Sequence, residues 1–197
     1  MVKKQHDARR RLRHQLQTRR RALTPAQINN RSTHICKRLR PLIAHSSSVA
    51  GYLAVGAEVQ INSVAQELLE DQVEYYLPVV LEHQQMKFAQ WNEHTLMGSN
   101  RYGISEPLID PQLLVSGMSL DTVLVPLVGF DNHLNRLGMG GGYYDRCFAQ
   151  RQSQAAPPTL IGVAYECQCV SSVYPDSWDV PLDIIVTEDR VVMSTAS

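Results

Sequence analysis

The chain has 197 residues, 44% hydrophobic and 19% charged, with 19 basic and 19 acidic side chains and a net charge of zero. That is ordinary globular composition at a length able to bury a core without disulfide or metal staples, and no run approaches the ~18 apolar residues of a membrane-spanning helix. The zero hides a segregation: residues 1–40 carry 13 bases and one acid, Asp7, and the other 157 residues carry 6 bases and 18 acids.

Residues 5–22 lack Gly and Pro and space Ala8, Leu12 and Leu16 four apart, which predicts a helix with a narrow apolar stripe and a broad cationic face. Thr24-Pro25-Ala26-Gln27 reads as a new helix start, with Thr as N-cap, Pro at the first position and Gln at the third. Ile28, Ile35, Leu39 and Leu42 continue it on one side, so residues 1–44 form a helical segment expected to pack on a single 1–197 domain, with the first helix the less buried. Val49–Val55 is an apolar run of the kind found in a strand buried on both faces. A helix is expected around Ile61–Leu69, strands over Val73–Val80 and Met86–Trp91, and a loop-rich stretch with a short helix over 92–120. Asp121–Val128 is strand-like, Tyr143–Arg151 helical, and Leu160–Ala164 and Ile184–Thr187 are short apolar strands. Alternating strands and helices predict an α/β fold with a mainly parallel central sheet flanked by helices and preceded by two N-terminal helices.

Cys36, Cys147, Cys167 and Cys169 lack the CxxC spacing of a zinc or redox site and read as reduced thiols. No apolar signal-type stretch opens the chain. Its Arg-rich start resembles a transit peptide superficially, but Ser32 is the single serine of residues 1–40, where transit peptides are serine-rich. A cytoplasmic location is expected. The seven histidines show no metal spacing and no triad partner.

Four of the 11 glycines fall at Gly138, Gly140, Gly141 and Gly142. Such a loop brings backbone N–H groups close to an anion, and a helix starting near Tyr143 would add its dipole. It is neither a Walker A loop, lacking Lys and hydroxyl, nor a GxGxxG fingerprint. Glycine content alone leaves a flexible strand–helix turn and a phosphate loop equally open. Arg136 before it and Asp145 after it favour phosphate, one as a phosphate partner and the other as a Mg²⁺ ligand.

The run Phe130-Asp131 … Arg136-Leu137-Gly138-Met139-Gly140-Gly141-Gly142-Tyr143-Tyr144-Asp145 resembles the hallmark of the 5-formyltetrahydrofolate cyclo-ligase family, also called 5,10-methenyltetrahydrofolate synthetases. Leu12-Arg13 with Arg20, Leu23 and Thr24, then Leu77-Pro78-Val79, Gly103-Ile104 with Glu106-Pro107, Gln168 and Trp178-Asp179-Val180-Pro181-Leu182-Asp183 follow in the family's order. Arg9 stands where the family usually has Lys, and Leu127 and Leu134 each replace a frequent Gly. At Leu134 the turn before Arg136 must therefore either avoid positive φ or carry strain.

The resemblance implies ATP-dependent closure of 5-formyltetrahydrofolate to 5,10-methenyltetrahydrofolate with release of ADP and phosphate, through phosphorylation of the formyl oxygen and attack by N10. It implies Arg136 as the catalytic cation, and ATP contacts from Arg9, Arg13, Arg136, Gly138, Gly140, Gly141, Gly142, Tyr143 and Tyr144. Leu53, Glu58, Tyr143 and Tyr144 would meet the folate, and Asp145 and Asp179 would hold Mg²⁺. Each has a plainer reading: Asp145 as a partner for arginines, Asp179 as a turn residue, Glu58 as an exposed loop charge, the tyrosines as core aromatics. The expected partners are the two substrates, with no nucleic acid or membrane, and the protein is expected to be a monomer. Two other functions compete: nucleic-acid binding by the basic head, tested by salt-dependent retention on heparin, and folate or nucleotide binding without turnover.

Overall fold

The computed structural model describes residues 2–101 and 103–194, with side chains from residue 5 onward. In chain order the elements are α1 (Val2–Arg21), α2 (Pro25–Ile43), β1 (Ser48–Ala50), α3 (Asn62–Glu70), β2 (Glu74–Val80), β3 (Met86–Gln90), β4 (Met97–Ser99), β5 (Ser105–Pro107), β6 (Thr122–Pro126), β7 (Gly129–Phe130), β8 (Arg136–Leu137), α4 (Tyr143–Cys147), β9 (Thr159–Val163), β10 (Ile184–Val186) and β11 (Val191–Met193). Seven strands form the central sheet in the order β11-β10-β9-β6-β1-β2-β3. The inner pairs are parallel, and only the edge strands β3 and β11 run antiparallel. The α/β class expected from the sequence is the class observed.

The central strands are apolar on both faces because both are covered. Val49, Ala50, Val123, Leu124 and Ile161 have no exposed surface. On one face Leu124, Ile161 and Val186 pack with Ile35, Leu39 and Ile43 of α2 and Val64 and Leu68 of α3. On the other, Val123, Val125, Leu160 and Ile185 pack with Phe88, Phe130 and Phe148. The Thr24 hydroxyl caps α2 at the N–H of Gln27, whose side chain returns a bond to the Thr24 N–H. α1 buries far less: among its described side chains Leu16 is the one fully buried apolar group, wedged among Val128, Leu137 and Val173.

Several expected boundaries shift. β1 stops at Ala50; Gly51, where the Tyr75 hydroxyl fills the place of a Cβ, still donates its N–H to the Tyr76 carbonyl, and the chain then leaves the sheet toward a turn at Gly56, φ +60°. α4 ends at Cys147, and a separate 3₁₀ turn follows over Ala149–Gln152. Phe148 leaves the helical region (φ −109°) with its ring fully buried, within 2.7 Å of the Cβ position of Gly117. The stretch 92–120 holds the β4–β5 hairpin and two 3₁₀ turns.

Strand order reverses between β1 and β6. From β1 the chain passes through α3 to β2 on one side, then returns to build β6, β9 and β10 on the other. The loops leaving the carboxyl ends of β1, β6 and β9 are residues 51–61, 127–142 and 164–183. A reversal of this kind leaves a crevice at the carboxyl ends of the parallel strands, where open α/β sheets bind ligands.

Candidate active site

The loop after β6 is a short hairpin, β7 against β8, that delivers Arg136. Its corner is built on Asp131, 1% exposed, whose carboxylate accepts from the backbone N–H groups of His133, Asn135 and Val173 and from the Asn135 amide. Leu134 sits there at φ +64°, so the turn keeps the left-handed conformation that suits Gly and holds a leucine in it. Of the two readings left open by the sequence, the strained one is observed. Leu134 is 7% exposed and joins the Phe130–Leu182 core, which offsets a left-handed cost of about 1–2 kcal/mol.

Arg136 is 5% exposed. Its guanidinium donates to the Val180 carbonyl and, at 2.6 Å, to Asp145 Oδ1. Asp145 Oδ1 also accepts from the Val180 N–H at 3.2 Å, which ties the first turn of α4 to the loop after β9. Burial lowers the Arg136 pKa, and Asp145 and Asp179 oppose that shift. It stays a cation in a dry setting, where charge acts at short range most strongly.

Asp179 is reached from α1. Arg9 Nη1 donates to Asp179 Oδ2 at 2.6 Å and to Asp176 Oδ2 at 2.7 Å. Asp176 also donates its N–H to Asp179 Oδ2 and accepts the Asp179 N–H on its carbonyl. Asp176 belongs to this charged cluster and was missed by the sequence reading, since an acid three residues before Asp179 resembles any turn residue until Arg9 is seen bridging both. Only Oδ1 of Asp145 and Oδ2 of Asp179 accept hydrogen bonds among the described residues, so each keeps a second carboxylate oxygen for another partner. Hard carboxylate oxygens suit Mg²⁺, which commonly takes one or two and fills its octahedron with phosphate oxygens and water. No group of three or more His, Cys, Asp or Glu able to hold a metal occurs among the described residues.

Arg13, one turn after Arg9, donates through Nε to the Gly138 carbonyl at 2.9 Å, and its guanidinium lies 3.7 Å from the Cβ position of Gly140. Desolvation by burial, then Arg9, lower the Arg13 pKa, and Asp179 and Asp176 oppose them. Gly140 (φ +103°) and Gly142 (φ +65°) hold conformations closed to most side chains, while Gly138 faces open space. α4 has only five residues, so the dipole expected behind the loop is small, and an anion there would depend on the loop N–H groups and the arginines. The Tyr143 hydroxyl accepts from Arg101 at 2.7 Å with Arg146 over its ring, and Tyr144 stacks on Phe148 at 6.2 Å.

The loop after β1 carries Leu53 and Glu58, and of the two only Glu58 is seen to approach the α4 side of the crevice, through Tyr144. Leu53 is half-buried against the α2–α3 side of the core. Glu58 is no exposed loop charge: its side chain is 13% exposed, accepts the Val55 N–H at 3.0 Å and lies 3.6 Å from Arg20. Burial raises its carboxyl pKa, opposed by the Val55 N–H and Arg20. Burial raises the Tyr144 hydroxyl pKa, with Glu58 adding to the rise and Arg136 opposing it. Among the described residues, four of the 13 basic residues of the head pair with acids of the body: Arg9 with Asp176 and Asp179, Arg20 with Glu58, Arg31 with Glu188 and Arg40 with Glu67.

Comparison with known proteins accords with this geometry. Residues 5–188 match the 5-formyltetrahydrofolate cyclo-ligase family. A 5-formyltetrahydrofolate cyclo-ligase of Escherichia coli (strain K12) is 32% identical over 180 residues, covering 89% of this chain and 98% of its own. One from Haemophilus influenzae is 36% identical over 144 residues, covering 72% of this chain and 76% of its own. Among solved structures, the 5,10-methenyltetrahydrofolate synthetase of Aquifex aeolicus superposes with a TM-score of 0.79 at 28% identity, over 98% of this chain and 94% of that one.

Proposed function

The chain belongs to the 5-formyltetrahydrofolate cyclo-ligase family, and from that premise we propose that it closes 5-formyltetrahydrofolate to 5,10-methenyltetrahydrofolate at the expense of ATP, with Mg²⁺ beside the phosphates. The observation that carries the ATP-dependent reading is the convergence on one crevice of a buried Arg136, the 138–142 glycine loop, two α1 arginines and the Asp145 and Asp179 carboxylates.

A formamide carbon is a poor electrophile and its oxygen a poor leaving group. Attack of the formyl oxygen on the γ-phosphorus releases ADP and leaves a phosphorylated iminium, which N10 attacks with loss of its proton. Cleavage of the C–O bond then expels phosphate and leaves the methenyl bridge. Phosphoryl transfer asks the protein chiefly for positioning and charge neutralisation. In this reading Arg136 stabilises the negative charge of the transferring group and of the departing phosphate. The 138–142 N–H groups and Arg13 hold the phosphate chain, and Arg9 closes over it from α1. Asp145 and Asp179 are the residues that would hold Mg²⁺, which when bound neutralises phosphate charge. Leu53 and Glu58 receive the folate, the carboxylate accepting from its N–H donors, and the half-buried Tyr143 and Tyr144 rings flank the ligands.

Mixing the protein with 5-formyltetrahydrofolate, ATP and Mg²⁺ should make methenyl absorbance appear. Folded protein giving no ATP-dependent signal refutes the assignment, and a signal surviving removal of Mg²⁺ by chelation refutes the metal's part.

A further inference from the structure

Arg20 plays no part in the scheme above, yet it is only 8% exposed on a helix whose Arg10, Arg11, Arg19 and Arg21 face water. Its Nη1 reaches the Leu127 carbonyl at a long 3.3 Å, and its Nη2 lies 3.6 Å from Glu58 Oε1, an ion pair beyond hydrogen-bond range. Its Nε is the one buried side-chain polar atom without a partner among the described residues. Buried donors left unpaired are rare, so this guanidinium is only partly engaged.

The backbone around Glu58 is held at several points, its carboxylate at one. The Tyr165 hydroxyl donates to the Glu58 carbonyl at 3.3 Å, the Tyr52 hydroxyl to the Val59 carbonyl at 3.0 Å, and the Gln60 N–H to Ser32 Oγ at 3.0 Å. The carboxylate itself is held by a single backbone bond, from Val55. The titratable groups facing it are Arg20 from α1, Tyr52 from its own loop and Tyr144 from α4, with Tyr165 at its backbone. Burial raises all three phenols, so they are neutral at physiological pH and Arg20 is the charge acting on Glu58.

We propose that Arg20 is a positioning residue for the folate: it grips Glu58 through its Nε–Nη2 edge when the pterin docks, and keeps that carboxylate ionised as an acceptor for the ligand's N–H groups. This rests on the reading that Glu58 meets the folate. A carboxyl protonated for want of Arg20 would present a donor to donors. An Nε–Nη2 fork also explains why the helix carries Arg rather than Lys at this position, since only a guanidinium offers two parallel donors.

The test is the dissociation constant for 5-formyltetrahydrofolate, measured without ATP by equilibrium dialysis across pH, for wild type, Arg20→Gln, Arg20→Lys and Glu58→Gln. Arg20→Gln is expected to weaken binding about tenfold and to move its acid limb to higher pH, with ATP affinity retained. Arg20→Lys should keep the wild-type acid limb and bind a few-fold more weakly, because the charge remains and the fork is lost. Wild-type affinity and pH dependence in Arg20→Gln overturn the proposal, as does equal loss of folate and ATP affinity without a pH shift, the mark of a purely structural stitch. If Arg20→Gln does not fold, Arg20→Lys decides: affinity equal to wild type overturns the proposal. Glu58→Gln separates the two layers, since unchanged folate affinity there removes Glu58 from the site.

Discussion

Gly129 and Leu16 make the contact that seats α1, and adding a single methyl there should be felt at the ATP site. A Cβ on Gly129 would lie 2.3 Å from Leu16 Cδ1 and 3.4 Å from the Gln168 carbonyl. Carbon pairs rest at about 3.5–4.0 Å, so Gly129→Ala demands that Leu16 retreat by roughly 1.2 Å or more. Leu16 is fully buried among Val128, Leu137 and Val173, so the retreat is taken up by strained repacking of that cluster and by a shift of α1. Overpacking of this kind costs about 1–3 kcal/mol. Arg13 and Arg9 lie one and two turns back on the same face, on Gly138 and on Asp176 and Asp179. If the whole cost falls on α1 docking, KM for ATP rises between about fivefold and about a hundredfold, because each 1.4 kcal/mol is tenfold. Steady-state methenyl formation against ATP concentration reads this directly, with a urea melt alongside. Adding Leu16→Ala to Gly129→Ala removes the clash and should recover part of the ATP affinity, a non-additivity expected of residues in contact. Gly129→Ala with wild-type KM and wild-type stability would show that α1 is not seated through this contact.

Asp145→Asn keeps the shape at Arg136 and removes the charge, so turnover should fall and the Mg²⁺ concentration needed for half-maximal rate should rise; an unchanged rate at every Mg²⁺ concentration takes Asp145 out of the site. Leu134→Gly should relieve about 1–2 kcal/mol of left-handed strain while losing about 1.5–3 kcal/mol of burial and adding unfolded-state freedom. The net loss in urea should be about 1–2 kcal/mol, below the ~2–5 kcal/mol of an ordinary buried Leu truncation, and a loss above that range would show that no strain is released.

Read alone, the sequence determined the class of the fold, the two N-terminal helices and the string that joins Arg136 to its glycine loop, because these are written in local signals. Thr24 to Gln27 caps a helix wherever it occurs, short apolar runs bounded by turns become buried strands, and Arg136 with its glycines is one contiguous string. It also showed a cationic head and an acidic body, and that their charges balance. Tertiary structure decided who meets whom. Arg9 bridges Asp176 and Asp179 across more than 160 residues of chain, and Arg20 faces Glu58 only because the loops after β1 and β6 leave the sheet at one reversal of strand order. Asp176 gave no signal of its own, since a surface acid and a buried partner of arginine are the same letter until the opposing charge is in place. Leu134 shows the same limit from the other side. Its sequence allowed a relaxed turn or a strained one, and the choice was made by Asp131, whose carboxylate gathers three backbone N–H groups and holds the corner, and by the core that buries the leucine. Local preference is a matter of about 1–2 kcal/mol per residue, and long-range packing can outweigh it wherever a functional side chain must be aimed.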